Sequence, residues 1–111
     1  MTVITKTLVP AKTVESLQTE QYKANGVTAR IDKFTATNYS GTAATISVNL
    51  VPSGGAAGNS NLITKTKTLQ PSEVYTFPEL VGHALTAGGS ISTIAGTASA
   101  INMMVSGREE T

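Results

Sequence analysis

Cysteine is absent from this chain, and so is tryptophan. Without thiols there is no disulfide framework and no thiolate metal site, so the fold must be held by its own core. Charge is scarce: 14% of the 111 residues are charged, against about 25% in an average globular chain. A net charge of +1 leaves no field to steer nucleic acid or a membrane. No stretch approaches the roughly 20 apolar residues of a membrane helix. The opening MTVITKTLVPAK also lacks the apolar run, about 7–15 residues long, of a secretory signal. The expectation is a soluble protein made in a cytoplasm. Aromatic residues (Tyr22, Phe34, Tyr39, Tyr75, Phe77) are too few and too scattered to form a base-stacking platform.

Threonine, alanine, serine and glycine fill the space that charge leaves. Such residues suit short strands joined by tight turns. Residues 3–9, VITKTLV, read as a first strand ended by Pro10, and 11–21 are ambiguous between helix, strand and arm. A strand is expected around Tyr22, broken at Asn25-Gly26, and ARIDKFTAT (29–37) forms the next. NYSG (38–41) is a turn. In TAATISVNLV, Ala44, Ile46, Val48 and Leu50 point one way and Thr45, Ser47 and Asn49 the other, the period of a half-buried strand.

The glycine-rich loop 52–61 follows and reads as a flexible connection, of the kind that carries a chain from one sheet to another. In LITKTKTL (62–69), Thr64, Thr66 and Thr68 share a face and Lys65 and Lys67 line the other; lysines often guard a sheet edge. QPSE turns, VYTF (74–77) is a strand, and PELVGHAL (78–85) is the one plausible helical turn, with proline at its start. SISTIA (90–95) and ASAINMMVSG (98–107) close the chain, with Ile101, Met103 and Val105 facing inward. Met104 falls on the outward face with Asn102 and Ser106. The expected fold is all-β: a single-domain antiparallel β-sandwich, jelly-roll-like, over 1–111, with seven to eight short strands and at most one helical turn. Residues 1–20, whose pattern is weakest, are expected to form an arm or edge strand.

No constellation of residues points to chemistry. His83 stands alone, and no G-x-S-x-G nucleophile elbow accompanies it. SGGAAGNSN has glycine but no phosphate-binding frame. The seven acids are scattered; a glycosidase needs two that face each other, and no calcium-loop pattern occurs. The reading is not an enzyme, with no cofactor and no metal.

Four stretches carry a resemblance. They are the IDKFTATNYSG strand and turn (31–41), VNLVPSGG (48–55), LQPSEVYTFPELVG (69–82) and the closing AINMMVSGRE (100–109). Together these resemble small virion proteins of tailed bacteriophages, most of all the capsid decoration (cement or staple) proteins of epsilon15-like podophages. The resemblance implies a jelly-roll-like domain on the outer surface of a capsid, reached from the host cytoplasm, that staples neighbouring major capsid subunits. Its expected partners are the major capsid protein and further copies of itself, a dimer among them, and neither nucleic acid nor membrane. The alternative is a receptor- or carbohydrate-binding β-sandwich module of a phage tail or neck, weakened by the lack of an exposed aromatic platform. Candidate partner contacts are Thr64, Lys65, Thr66 and Lys67 on the strand, and Gly54, Gly55 and Asn59 on the loop before it.

Overall fold

Period-two alternation and turn residues govern most of this chain, and its computed structural model is built almost wholly of strands. The structure describes Thr2–Thr111; Met1, the first residue of the segment expected as an arm or edge strand, lies outside the described residues. In chain order the strands are β1 (Val3–Thr13), β2 (Thr19–Lys23), β3 (Thr28–Asn38), β4 (Ala44–Val51), β5 (Leu62–Leu69), β6 (Val74–Tyr75), β7 (Ala84–Leu85), β8 (Ser90–Ala95) and β9 (Ile101–Glu110).

The first sheet runs β1-β9-β3-β6, with β7 also paired to β3; the second runs β2-β8-β4-β5. Every pairing is antiparallel. β6 and β7 occupy one edge position as two short pieces. Eight positions wound as two four-stranded sheets in these orders make a jelly roll. The chain changes sheet at every connection except β4–β5 and β6–β7.

Ile31, Phe34, Ile101, Met103 and Val105 from the first sheet meet Ile46, Val48, Leu69 and Ile91 from the second, all buried, while Leu50 is partly buried against them. Phe34 and Tyr75 both pack on Phe77, with ring centroids 4.5 and 4.6 Å from it at tilted angles. Met104 is exposed on the outer face of β9.

Asn38 fixes the crossing from β3 to β4. It is fully buried. Its carbonyl accepts from the Ser40 N–H (2.9 Å) and hydroxyl (2.7 Å), and its amide donates to the carbonyls of Thr42 (2.8 Å) and Leu69 (2.9 Å). Three of the four bonds brace the connection itself, and the one to Leu69 ties it to the second sheet.

Several expectations are corrected. Loop 52–61 does not cross between sheets: β4 and β5 are neighbours in the second sheet. β1 does not end at Pro10 but continues to Thr13, because a proline at a sheet edge with a shifted register forfeits no ladder bond. The segment 78–85 is not helical. Leu80 donates to the Phe77 carbonyl (2.9 Å) and His83 to that of Leu80 (3.2 Å), two tight turns before β7. The single helical turn among the described residues is instead a 3₁₀ piece at Asn59–Asn61. The last strand begins at Ile101 rather than Ala98, after a longer turn in which Ser99 takes φ +55°.

Candidate partner-binding surface

β5 is an edge strand of the second sheet, and a bulge determines what it displays. Its register to β4 shifts between Lys67 and Thr64, and Thr66 takes a left-handed φ of +42°. The Thr66 N–H is held by the Ser47 hydroxyl at 2.8 Å. A bulge inserts an extra residue and so reverses the alternation beyond it. The expected division into a threonine face and a lysine face is therefore corrected: Thr64 is buried and Lys67 half-buried on one side, while Lys65 and Thr66 are exposed at the bulge.

On the inner side, Thr64 donates its hydroxyl to Glu79 at 2.6 Å, and the Tyr75 hydroxyl donates to the other Glu79 oxygen at 2.7 Å. The Lys67 ammonium lies 4.7 Å from the Tyr75 ring centroid, a cation–π contact. Burial works to raise the Glu79 pKa, but the Thr64 and Tyr75 hydrogen bonds more than offset it and hold the carboxyl below its ordinary value. The same hydrogen bond to Glu79, helped by burial, pushes Tyr75 up to about 12. This clasp ties the edge of the second sheet to β6 of the first.

On the outer side, loop 52–61 is pinned rather than flexible. The Asn49 amide donates to the Gly58 carbonyl (2.9 Å) and to Asn61 Oδ1 (2.7 Å), and Asn61 donates in turn to the Ala56 carbonyl (2.9 Å). Asn59, Lys65 and Thr66 line one shallow groove of about 200 Å³ with Gln18, Ser47 and Asn49. Gly54 and Gly55 lie outside it, at the other end of the loop. There Ser53 presses on Gly88 so closely that no side chain fits at 88. The seven candidate residues thus fall into three places: the clasp (Thr64, Lys67), the groove (Asn59, Lys65, Thr66) and the loop base (Gly54, Gly55).

His83 is exposed and lines a different depression, about 370 Å³, with Leu50, Ile63 and Leu85. Among the described residues no group of three or more His, Cys, Asp or Glu could hold a metal ion, and no helix is long and apolar enough to cross a membrane. A second clasp was not expected from the sequence: Tyr22 donates its hydroxyl to Glu109, which also pairs with Lys6 at 3.3 Å. Residues 87 positions apart make this contact, and only the folded sheets bring them together. Tyr75 and Glu79 are only four positions apart, but they meet because a strand runs into tight turns, which their spacing did not show. No family model, no curated protein and no solved structure matches this chain.

Proposed function

We propose that this is a structural virion protein of a tailed bacteriophage that binds the outer surface of the capsid and ties neighbouring major capsid subunits together. The observation that carries this reading is the rigid, nearly uncharged groove on the second sheet. Its wall is a loop fixed by Asn49 and Asn61, and its rim offers Asn59, Lys65 and Thr66. A surface ordered before binding loses little entropy when a partner docks. Repetition over a closed shell multiplies weak contacts into firm attachment. The phage-like motifs at 31–41, 48–55, 69–82 and 100–109 supply the kind of partner.

The test is reconstitution on capsids that lack the protein. Wild-type protein is expected to occupy them. Lys65→Glu combined with Asn61→Ala, which reverses the groove's charge and frees its wall, is expected to lower occupancy while the domain stays folded. Binding to tails or to bacterial surface glycans, and not to shells, would overturn the proposal in favour of a receptor-binding module.

A further inference from the structure

A sheet edge is a template for another strand unless something blunts it. Three of the four edges here are blunted. β5 carries a bulge and two lysines. β2 has five residues with a register shift between Glu20 and Tyr22. The β6 and β7 edge is split into two-residue pieces. The fourth edge, β1, is blunted only in its second half, where Pro10 and a register shift between Val9 and Lys12 interrupt it. From Val3 to Thr7 its pairing with β9 is regular, and Val3 and Ile4 are 49% and 51% exposed.

The backbone shows which groups this open stretch presents. Thr2 accepts from the Thr111 N–H, so its carbonyl points toward β9. Ile31 spends its own N–H and C=O on His83 and Gly82, so its partner Gly107 turns its groups toward Lys6. Both observations fix the same parity: Ile4 and Lys6 bond to β9, and Val3, Thr5 and Thr7 direct their N–H and C=O to the open side.

We infer that this open edge pairs with the same edge of a second copy of the chain, antiparallel, about a two-fold axis through Thr5. Val3 then lies opposite Thr7 of the second copy, Ile4 opposite Lys6, and Thr5 opposite itself. Each of the Val3–Thr7 and Thr5–Thr5 pairs exchanges both of its backbone bonds, and pairing stops where the register shift beyond Thr7 begins. A two-fold contact requires one surface to be its own complement, and a free-group pattern symmetric about Thr5 meets that condition. Charge permits it as well, because Glu109 of the same chain already neutralises Lys6 at 3.3 Å. The lysine stem then covers Ile4, which is otherwise bare. This inference does not depend on the capsid reading.

Five residues are far fewer than the roughly 20–30 a side of a standard interface, so the pairing is weak in free solution and is best read by cross-linking. The chain has no cysteine, so introduced thiols report cleanly. A hydrogen-bonded antiparallel pair sets its Cα atoms about 5.5 Å apart, within the roughly 4.4–6.8 Å that a disulfide spans. Thr5→Cys is expected to form a disulfide dimer under mild oxidation at least tenfold faster than Val3→Cys or Thr7→Cys alone. Val3→Cys with Thr7→Cys in one chain should recover the fast rate. Thr5→Pro added to that pair should abolish it, since it removes a donor on the open side and none that β1 gives to β9. If Thr5→Cys oxidises no faster than either single control, or if Thr5→Pro leaves the paired thiols cross-linking undiminished, the two-fold edge pairing is wrong. The open edge would then belong to a strand of another protein.

Discussion

The first sheet presents Thr35, Thr37, Asn102, Met104 and Ser106 on its outer face, and the second presents Ser47, Asn49, Ser90 and Ser92. The named residues are alike, small and polar but for Met104, and the first face adds the charge of Lys33 opposite Ser106. Their surroundings differ. The residues on the first sheet are partly or fully exposed, whereas all four on the second are buried. The chain covers the second sheet with its own neighbouring segments. Asn49 is capped by Gly58 and Asn61, Ser47 by the N–H of Thr66, and Ser92 by the amide of Gln18 at 2.8 Å. No described buried side-chain nitrogen or oxygen is left without a partner. A polar residue on the outward side of a strand therefore marks a surface only if no other segment lies over it.

The inner faces should not show this asymmetry. Ile46 of the second sheet and Ile101 of the first are both fully buried. Ile46→Ala and Ile101→Ala are each expected to cost about 2–5 kcal/mol, a large part of the roughly 5–15 kcal/mol that holds a domain together. Urea unfolding checks both. A clearly smaller loss for one would show that the two sheets do not share the core equally.

Next comes a change confined to the first sheet. Gly107 lies in β9 between β1 and β3, and a Cβ there would run into the carbonyl oxygen of Arg30 and meet Leu8 Cδ1 at 3.0 Å. The obstacle is backbone, which cannot rotate away. Gly107→Ala is expected to cost about 3 kcal/mol, the upper end of ordinary overpacking. A melting temperature equal to wild type would mean that the strands separate there more easily than the geometry allows.

The outer faces are separated by two asparagines. Asn49→Ala removes two hydrogen bonds beneath the loop and leaves the Gly58 carbonyl and Asn61 Oδ1 with one donor each, the N–H groups of Asn61 and Gly58, an expected loss of about 1–3 kcal/mol. Asn102→Ala, on the uncovered face, should stay within about 0.5 kcal/mol. Equal losses would erase the distinction between the faces.

These contrasts also mark what the sequence could disclose. The alternation in 44–50 and at Ile101, Met103 and Val105 assigned the inward residues correctly, because period two is a local property of a strand. The sandwich followed from the spacing of strands and turns. The destination of loop 52–61 did not, since ten residues can reach either sheet and only the pairing of β4 with β5 decides. The faces of β5 were misassigned because one left-handed residue, Thr66, reverses the alternation, and threonine gives no local sign of doing so. Of the candidate surface, Lys65, Thr66 and Asn59 come together, while Thr64 and Lys67 turn to the clasp with Glu79. That partnership depends on the turns at 77–83, where a proline followed by an acid imitates a helix start.

The clasp adds a dependence on pH that the covered face lacks. Glu79 is held below its ordinary value in the folded state, so its contribution is present above the usual carboxylate range and is lost as pH falls through the folded value. Tyr75 is raised to about 12, so its contribution is present below the ordinary tyrosine value near 10 and is lost as pH climbs through 12. Stability measured from pH 7 downward should therefore fall more steeply in wild type than in Glu79→Gln. Parallel profiles would show that Glu79 titrates as an ordinary surface acid.

The smallest expected effect bears most directly on the uncovered face. Met104 is 42% exposed near its centre, beside Thr35, Thr37, Asn102 and Ser106. Because water already reaches it, Met104→Ser removes little buried surface and should change stability by no more than about 0.5 kcal/mol. That corresponds to a shift in melting temperature of a few degrees at most for a chain this size. Ile94, half-buried at the groove on the covered face, provides the counterpart, and Ile94→Ser is expected to cost more. The pair tests the comparison without altering a hydrogen bond, since neither original side chain makes one. If Met104→Ser proves the costlier of the two, the first sheet's outer face is covered in the free protein, by a second copy or by its own ends, and the contrast between the sheets fails at its most exposed residue.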